Sequence, residues 1–311
     1  MFYKEIPYKL ACVDGKSTID LYFKVKDDYR LFASKGAVFT EEHYRMCSRV
    51  TLYIRSEDHV SAEEDLDTHT LEILTSPLIK PKAKADIVYS FSMKALRKVF
   101  QGTNARTIEE MQKISKSIAR SIFLDRSIVG HVMDMTSIDH YLLQHSVKAG
   151  TFGLALAINL FQDDISRYDI PDLATAFYLH DIGMTKVPRS VVDKEEQLTA
   201  SDWEVIRKHP LWGHDKLSRA GKLSEEAASI VLYHHERCNG KGYPYRKSGD
   251  DIPIFAKICS IADTFESLTS KRPFRQTSTP FEALQIMQRE MANEFDPDLY
   301  RSFVMLLGPG S

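Results

Sequence analysis

Only four cysteines occur in the 311 residues, Cys12, Cys47, Cys238 and Cys259, and no two of them form a CxxC pair. Neither a disulfide framework nor a zinc knuckle is indicated, and a reducing compartment fits. Long apolar runs are missing too. No stretch approaches the roughly 18 residues of a membrane helix, and the opening MFYKEIPYKL lacks the continuous apolar segment of a secretory signal. A cytoplasmic protein with no membrane contact is therefore expected. Nor is there an excess of one charge: 41 Lys and Arg against 43 Asp and Glu leave a formal net charge of −2. Without a global field for duplex nucleic acid or an anionic bilayer, any affinity for phosphate must come from a local site.

What is present is an ordinary globular composition, 43% hydrophobic and 27% charged, at a length that argues for two domains. In the first ~75 residues, Ile19, Leu21, Phe23 and Val25 alternate with Asp20, Tyr22, Lys24 and Lys26. That period of two predicts a half-buried strand, and Val50, Leu52 and Ile54 repeat it. YRLFA is strand-like, Lys35–Gly36 reads as a turn, and Thr40 is placed to cap a short helix. Ser61 to Glu64 spells a capping box ahead of an acidic helical stretch, and Pro77 and Pro81 punctuate SPLIKPKAKA, the best candidate for a linker. From about Ala83 onward helix signatures follow one another: Thr107 before IEEMQKISKSIARSIF, Ser201 with Glu204 capping DWEVIRKH, Pro253 before IFAKICSIADTFESL, and Thr279–Pro280 with Glu282 before FEALQIMQREM. The expected fold is α+β overall, a small α/β regulatory or partner domain over residues 1–80 followed by an all-helical domain over 81–311.

Eleven histidines are present. His43, His59 and His69 stand alone and read as surface or satisfied polar groups. Five others are patterned with two aspartates: His145, then His180–Asp181 in LHDIG, His209 before Pro210, His234–His235 in HHERCNGKGYP, and Asp263 in SIADTFESL. Burying such pairs beside the apolar runs ATAFYLHD and ASIVLYHH is costly unless they bind a cation. Imidazole and carboxylate donors holding hard divalent ions suit phosphate ester hydrolysis. His145 shares a helix face with Tyr141 and Ala149. Gly183 suits a left-handed position closing the helix that ends at His180–Asp181. Pro210 limits the helix ending at His209. His234 and His235, about 100° apart on a helix, reach one ion only where that helix ends. Asp263 lies in the middle of an apolar helix.

HDIG, HHERCNGKGYP and SIADTFESLTSKRPFR together resemble the HD-GYP family of metal-dependent phosphodiesterases, a branch of the HD superfamily, over roughly residues 125 to 305. The first domain resembles, more weakly, small α/β modules found ahead of some HD-GYP domains. The resemblance implies hydrolysis of the bacterial second messenger cyclic di-GMP to pGpG or GMP. It implies two divalent ions, iron or manganese, with Asp181 as the bridge. His145, His180 and Asp263 would complete one site, and His209, His234 and His235 the other. His180 and Asp181 form the catalytic pair. Such a centre would supply an activated water and stabilise charge on the phosphorane. Arg272 and Arg275 match phosphate-holding positions, and Gly242 and Tyr243 match the loop lining the substrate pocket.

The sequence also departs from the pattern. Tyr141 stands where members with three metals carry a glutamate, which leaves a two-ion centre. Met184 replaces the lysine of HDxGK, with Lys186 two residues on as a substitute. Asn239 replaces an aspartate, and Phe274 replaces a tyrosine whose hydroxyl is thereby lost. These changes leave room for an alternative, a weakly active or inactive protein that senses a cyclic dinucleotide or docks on a GGDEF-domain protein.

Overall fold

The computed structural model describes residues 3–6, 12–13, 16–17, 19–26, 28–40, 43, 46, 51–55, 74–75, 79–135, 141–164, 167–194, 196–270 and 277–308. The chain divides into two compact units, Met1–Ala83 and Lys84–Ser311.

The first unit is built on strands β1 (Tyr3–Ile6), β2 (Cys12–Val13), β3 (Lys16–Ser17), β4 (Leu21–Val25), β5 (Asp28–Ala33) and β6 (Leu52–Arg55). Four of them form an antiparallel sheet in the order β1-β6-β4-β5, while β2 and β3 pair separately. The alternation read from the sequence puts Leu21, Leu52 and Ile54 into a core with Ile19, Ala33 and Phe39. The opposite face is aromatic as well as polar. Tyr22 lies opposite Tyr53 in the register, and Tyr3 stacks on Tyr29 at 4.0 Å, so cross-strand rings stabilise that face. Gly36 takes φ +83° in the turn after β5. The Thr40 hydroxyl oxygen accepts from the His43 backbone N–H at 3.4 Å, the capping contact expected of Thr40. The acidic stretch after Ser61 lies outside the described residues.

The expected linker needs correction. Pro81 opens helix α1 (Pro81–Gln101), because proline's missing N–H costs nothing in a first turn and its fixed φ suits it. The second unit continues with α2 (Ala105–Leu124), α3 (Ser127–Met133), α4 (Tyr141–Phe161), α5 (Ile170–Leu179), a 3-10 turn over Ile182–Lys186, α6 (Arg189–Val192), α7 (Ala200–Ile206), α8 (His209–Ala220), α9 (Glu225–Tyr233), α10 (Ile254–Thr269), α11 (Pro280–Glu290) and α12 (Pro297–Leu306). Two caps fall earlier than expected. Asn104, not Thr107, caps α2, with Thr107 returning a bond from the third helical position; Thr199 with Asp202, not Ser201 with Glu204, caps α7. In both, the extended residue three before the returning side chain becomes the cap. Thr279 and Glu282 form the expected capping box.

α4 is the axis of this unit. It is buried continuously from His145 to Ile158, as a helix apolar on nearly every side must be, and it packs on α5, α10 and α12. Phe152, Phe265 and Phe303 meet edge to face at 5.2–6.4 Å, locking α4, α10 and α12 together below the histidine cluster.

Candidate metal centre

Five helical elements deliver the patterned side chains to one place. His145 comes from α4, His180 and Asp181 from the junction after α5, His209 from the first residue of α8, His234 and His235 from the end of α9, and Asp263 from mid-α10. They form two groups able to hold a cation: His145, His180 and Asp263, and Asp181, His209, His234 and His235, with donor atoms in each group within 4.8 Å of one another. Asp181 faces both. Its Oδ1 lies 3.0 Å from His209 and 3.7 Å from His234, and its Oδ2 lies 3.4 Å from His145 and 3.9 Å from His180. Asp263 likewise presents Oδ1 to His145 at 3.2 Å and Oδ2 to His235 at 3.7 Å.

Hydrogen bonding on the far side of each ring fixes which nitrogen faces inward. Nδ1 of His180 lies 2.9 Å from the Phe177 carbonyl, that of His209 2.8 Å from Ile206, and that of His234 2.9 Å from Val231. A carbonyl only accepts, so each Nδ1 carries the proton and each neutral ring offers Nε2 as a lone pair. The Nε2 atoms of His209 and His234 stand 3.2 Å apart, as do those of His145 and His180. Lone pairs converging at that distance in a buried site call for a cation between them, so the donor set fits divalent metal.

Charge in the bare site follows the same logic. Burial pulls the His180 imidazole down to about 4, and burial with the neighbouring His234 holds His235 well below the usual range. Burial alone would raise the Asp181 carboxyl, but His180 and His209 hold it well below the usual carboxylate range. His145 differs, since the Glu266 carboxylate overrides burial and raises it well above the ordinary value. Glu266, fully buried, bonds His145 Nδ1 and the Ser270 hydroxyl. Its place three residues after Asp263, on the same helix face, was the signal the sequence carried for it.

Three placements differ from expectation. Gly183 is not left-handed. A Cβ there would lie 1.9 Å from the His209 carbonyl oxygen and 2.6 Å from the Gly213 nitrogen, so glycine is needed for close approach of the 3-10 turn to α8. His209 does not end the preceding helix; α7 stops at Ile206, and His209 with Pro210 begins α8. Lys186 is exposed and bonded to Asp215 at 3.4 Å, which leaves it paired away from the two donor groups. Met184 is half-buried on the 3-10 turn. Tyr141 lies with its ring 6.0 Å from that of His145. Arg272, Phe274 and Arg275 lie outside the described residues.

The segment after His235 folds back over the cluster. Gly242 packs its Cα against the Glu236 and Arg237 backbone, where a Cβ would meet atoms at 2.5 Å, so its smallness serves the chain's own packing. The ring of Tyr243 stacks on His235 at 4.6 Å with an interplanar angle of 24°, and burial raises its phenol. Glu236, missed in the sequence, is buried and accepts from the Tyr245 and Lys247 amides at 2.7 and 3.0 Å. Beside Tyr243 opens a cavity of about 780 Å³ that Gly242 also lines.

Comparison with known proteins agrees with this geometry. The HD domain family matches residues 153–299. The chain is 30% identical over 238 residues to cyclic di-GMP phosphodiesterase PA4108 of Pseudomonas aeruginosa, covering 76% of this chain and 55% of that protein. It is 36% identical over 122 residues to 3'3'-cGAMP-specific phosphodiesterase 2 of Vibrio cholerae, covering 39% of this chain and 23% of that one. The chain thus spans about half or less of the length of these curated relatives. The solved structure of Bd1817, an HDG"Y"P protein from Bdellovibrio bacteriovorus, superposes with a TM-score of 0.69 at 19% identity, covering 99% of this chain and 100% of that one, a likeness of fold. The HD pair at the end of α5 and the histidine pair and GYP loop after α9 agree with these matches: the chain carries an HD domain over residues 153–299 and is similar to HD-GYP proteins.

Proposed function

We propose that this chain is a metal-dependent phosphodiesterase that hydrolyses cyclic di-GMP to pGpG or GMP. The observation that carries this reading is Asp181, whose two carboxylate oxygens face two separate histidine groups. In this assignment His145, His180 and Asp263 would hold one divalent ion, iron or manganese, His209, His234 and His235 would hold a second, and Asp181 would serve both. Such ions would act as Lewis acids on phosphate oxygens and lower the pKa of water. The residues of the chain do the rest. Backbone carbonyls and Glu266 fix the rings so that no reorganisation is needed as charge develops. Tyr243, laid on His235, offers a ring edge and face to a nucleobase. Asp181 and Asp263, held ionised among the histidines, balance the added positive charge.

The substrate follows from relatives named for cyclic di-GMP, and six of the seven donor residues, all but His145, lie in the residues matched to the HD domain family. A second reading, a sensor that docks on a GGDEF-domain protein, is favoured by one observation: Met184 stands at the lysine position while Lys186 is tied to Asp215. Metal-loaded, purified chain incubated with cyclic di-GMP and followed by chromatography tests the enzyme reading. Appearance of pGpG and GMP is expected. Bound but unchanged cyclic dinucleotide would transfer the function to the sensor.

A further inference from the structure

The cavity beside Tyr243 is lined by four cations, Arg207, Lys208, Lys241 and Arg246, against a single acid, Glu204. Several basic groups elsewhere in this unit are tied to carboxylates, Lys98 to Glu110, Lys194 to Asp202, Lys222 to Glu109 and Arg237 to Glu294, and the cavity is set apart by gathering four cations on one concave surface. Among the described residues, none of the four cavity cations has an ion-pair partner. In a chain of net charge −2 such a local surplus focuses the field on one concave surface and favours an anion there.

Arg246 sharpens the point. It stands at φ +57°, a left-handed backbone that L side chains avoid and glycine adopts freely. The amides on either side of it, Tyr245 and Lys247, both donate to the buried Glu236 carboxylate. Its strained backbone is thus clamped from both flanks, as at ligand clamps. The pocket also adjoins the donor groups. The Tyr243 ring lies between them, stacked on His235 at 4.6 Å with the Arg207 guanidinium 5.9 Å from its centre. A cavity of about 780 Å³ has the capacity of a nucleotide-sized ligand.

We infer that this pocket is an anion subsite for the phosphate that is not being cleaved. In the first cleavage it holds the diester that stays intact; for the second, the linear dinucleotide turns round, so that this diester reaches the donor groups and the terminal phosphate formed at them takes the pocket. The inference rests on the phosphodiesterase reading for the identity of the ligand, but not for its test. A terminal phosphate carries up to two negative charges near neutral pH, so four cations hold the linear product at least as firmly as the cyclic substrate. The pocket thus favours the turned pose that the second cleavage needs.

The test compares binding of pGpG and of GpG, which lacks only the terminal phosphate, to the metal-loaded full chain by calorimetry. The parent is expected to prefer pGpG, and Arg246→Gly to reduce that preference about tenfold. The glycine variant relieves the left-handed strain, so it should melt no lower than the parent. Arg246→Lys should keep part of the preference, and Lys241→Ala, at an exposed position, should lower it independently. Arg219→Ala, outside the cavity, should leave it unchanged. A preference that persists undiminished in Arg246→Gly and Lys241→Ala would overturn the subsite, because the donor groups alone would then account for it. An Arg246-dependent preference in a protein that cleaves neither dinucleotide would keep the subsite and remove the phosphodiesterase reading.

Discussion

Gly183→Ala separates two explanations of the glycine in LHDIG. If glycine served a left-handed turn, alanine would cost about 1–2 kcal/mol in backbone strain and nothing more. The structure instead puts an added Cβ 1.9 Å from the His209 carbonyl oxygen, 2.6 Å from the Gly213 nitrogen and 2.8 Å from the His209 carbonyl carbon. All three are backbone atoms, so no rotamer relieves the contact. The 3-10 turn and α8 must separate until the first gap reaches at least 3.4 Å. α8 cannot retreat freely, since Gly213 itself lies close to Val231 of α9. Overpacking against a pinned backbone falls at the top of the usual 1–3 kcal/mol range, and we take about 3 kcal/mol. For a unit of this size that lowers Tm by about 6–12 °C. The same displacement pulls His209 from Asp181, now 3.0 Å away, so the group containing both should lose its ion first. Calorimetry with elemental analysis reads both effects. Gly221→Ala is the comparison: that residue is left-handed at φ +67° with no atom within 4 Å of an added Cβ, so it pays strain alone. A Gly183→Ala protein that melts with Gly221→Ala and keeps its full metal complement would refute the close-approach argument.

Glu266→Gln keeps an acceptor near His145 but removes the charge that raises its basicity, so metal affinity should fall about 10–100-fold; chelator competition measures it, and unchanged affinity would deny Glu266 a positioning role. Metal-stripped protein should lose stability as pH falls from 6.5. The unfolded chain protonates His180 near 6.5 while the folded chain holds out to about 4, so the unfolded state binds more protons across that window and stability drops by about 3 kcal/mol from this residue. His235 acts in the same direction, and His145, raised by Glu266, opposes them. Urea unfolding in chelator at several pH values checks this; stability flat or rising toward pH 5 would contradict it. Met184→Lys should raise kcat by ~10²–10³ with little change in binding, the signature of a contact made only as charge develops. Rapid turnover by the unmodified chain would show that no lysine is needed there.

The sheet and the helical unit were legible because their patterns are local. Alternation from Ile19 to Val25 marks a strand whatever surrounds it, and Thr279 with Glu282 marks a helix start three residues apart. The linker was drawn too far, past Pro81, because a proline that interrupts a chain and a proline that opens a helix have the same letter. Which applies depends on whether the following residues find a partner face, and α1 does. Gly183 was misread for a similar reason: glycine at a helix end satisfies both a left-handed cap and a tight crossing, and only the position of α8 decides. Glu236 and the four cavity cations were missed because burial, pairing and clustering across many residues are not visible in a linear pattern, whereas Glu266 was legible only as a helix-face neighbour of Asp263.

The metal-facing histidines show how much a helix terminus does for a site. The last carbonyls of any helix lack an intrahelical donor and must be satisfied from elsewhere. Phe177, Ile206 and Val231 lie at the ends of α5, α7 and α9, and each receives the Nδ1–H of a histidine three residues on, His180, His209 and His234. One hydrogen bond thus meets two needs. It satisfies an orphan acceptor, and it fixes ring and tautomer so that Nε2 turns inward. A histidine away from a helix's C-terminal end has no free carbonyl behind it, so it needs a partner from another element, and His145, in the second turn of α4, takes Glu266 from α10. The difference predicts different sensitivity to substitution. Nothing short of moving a helix end removes the partner of His180, His209 or His234, whereas a single change at Glu266 strips His145 of its partner. The group containing His145 should therefore be the one whose metal affinity mutation tunes most easily.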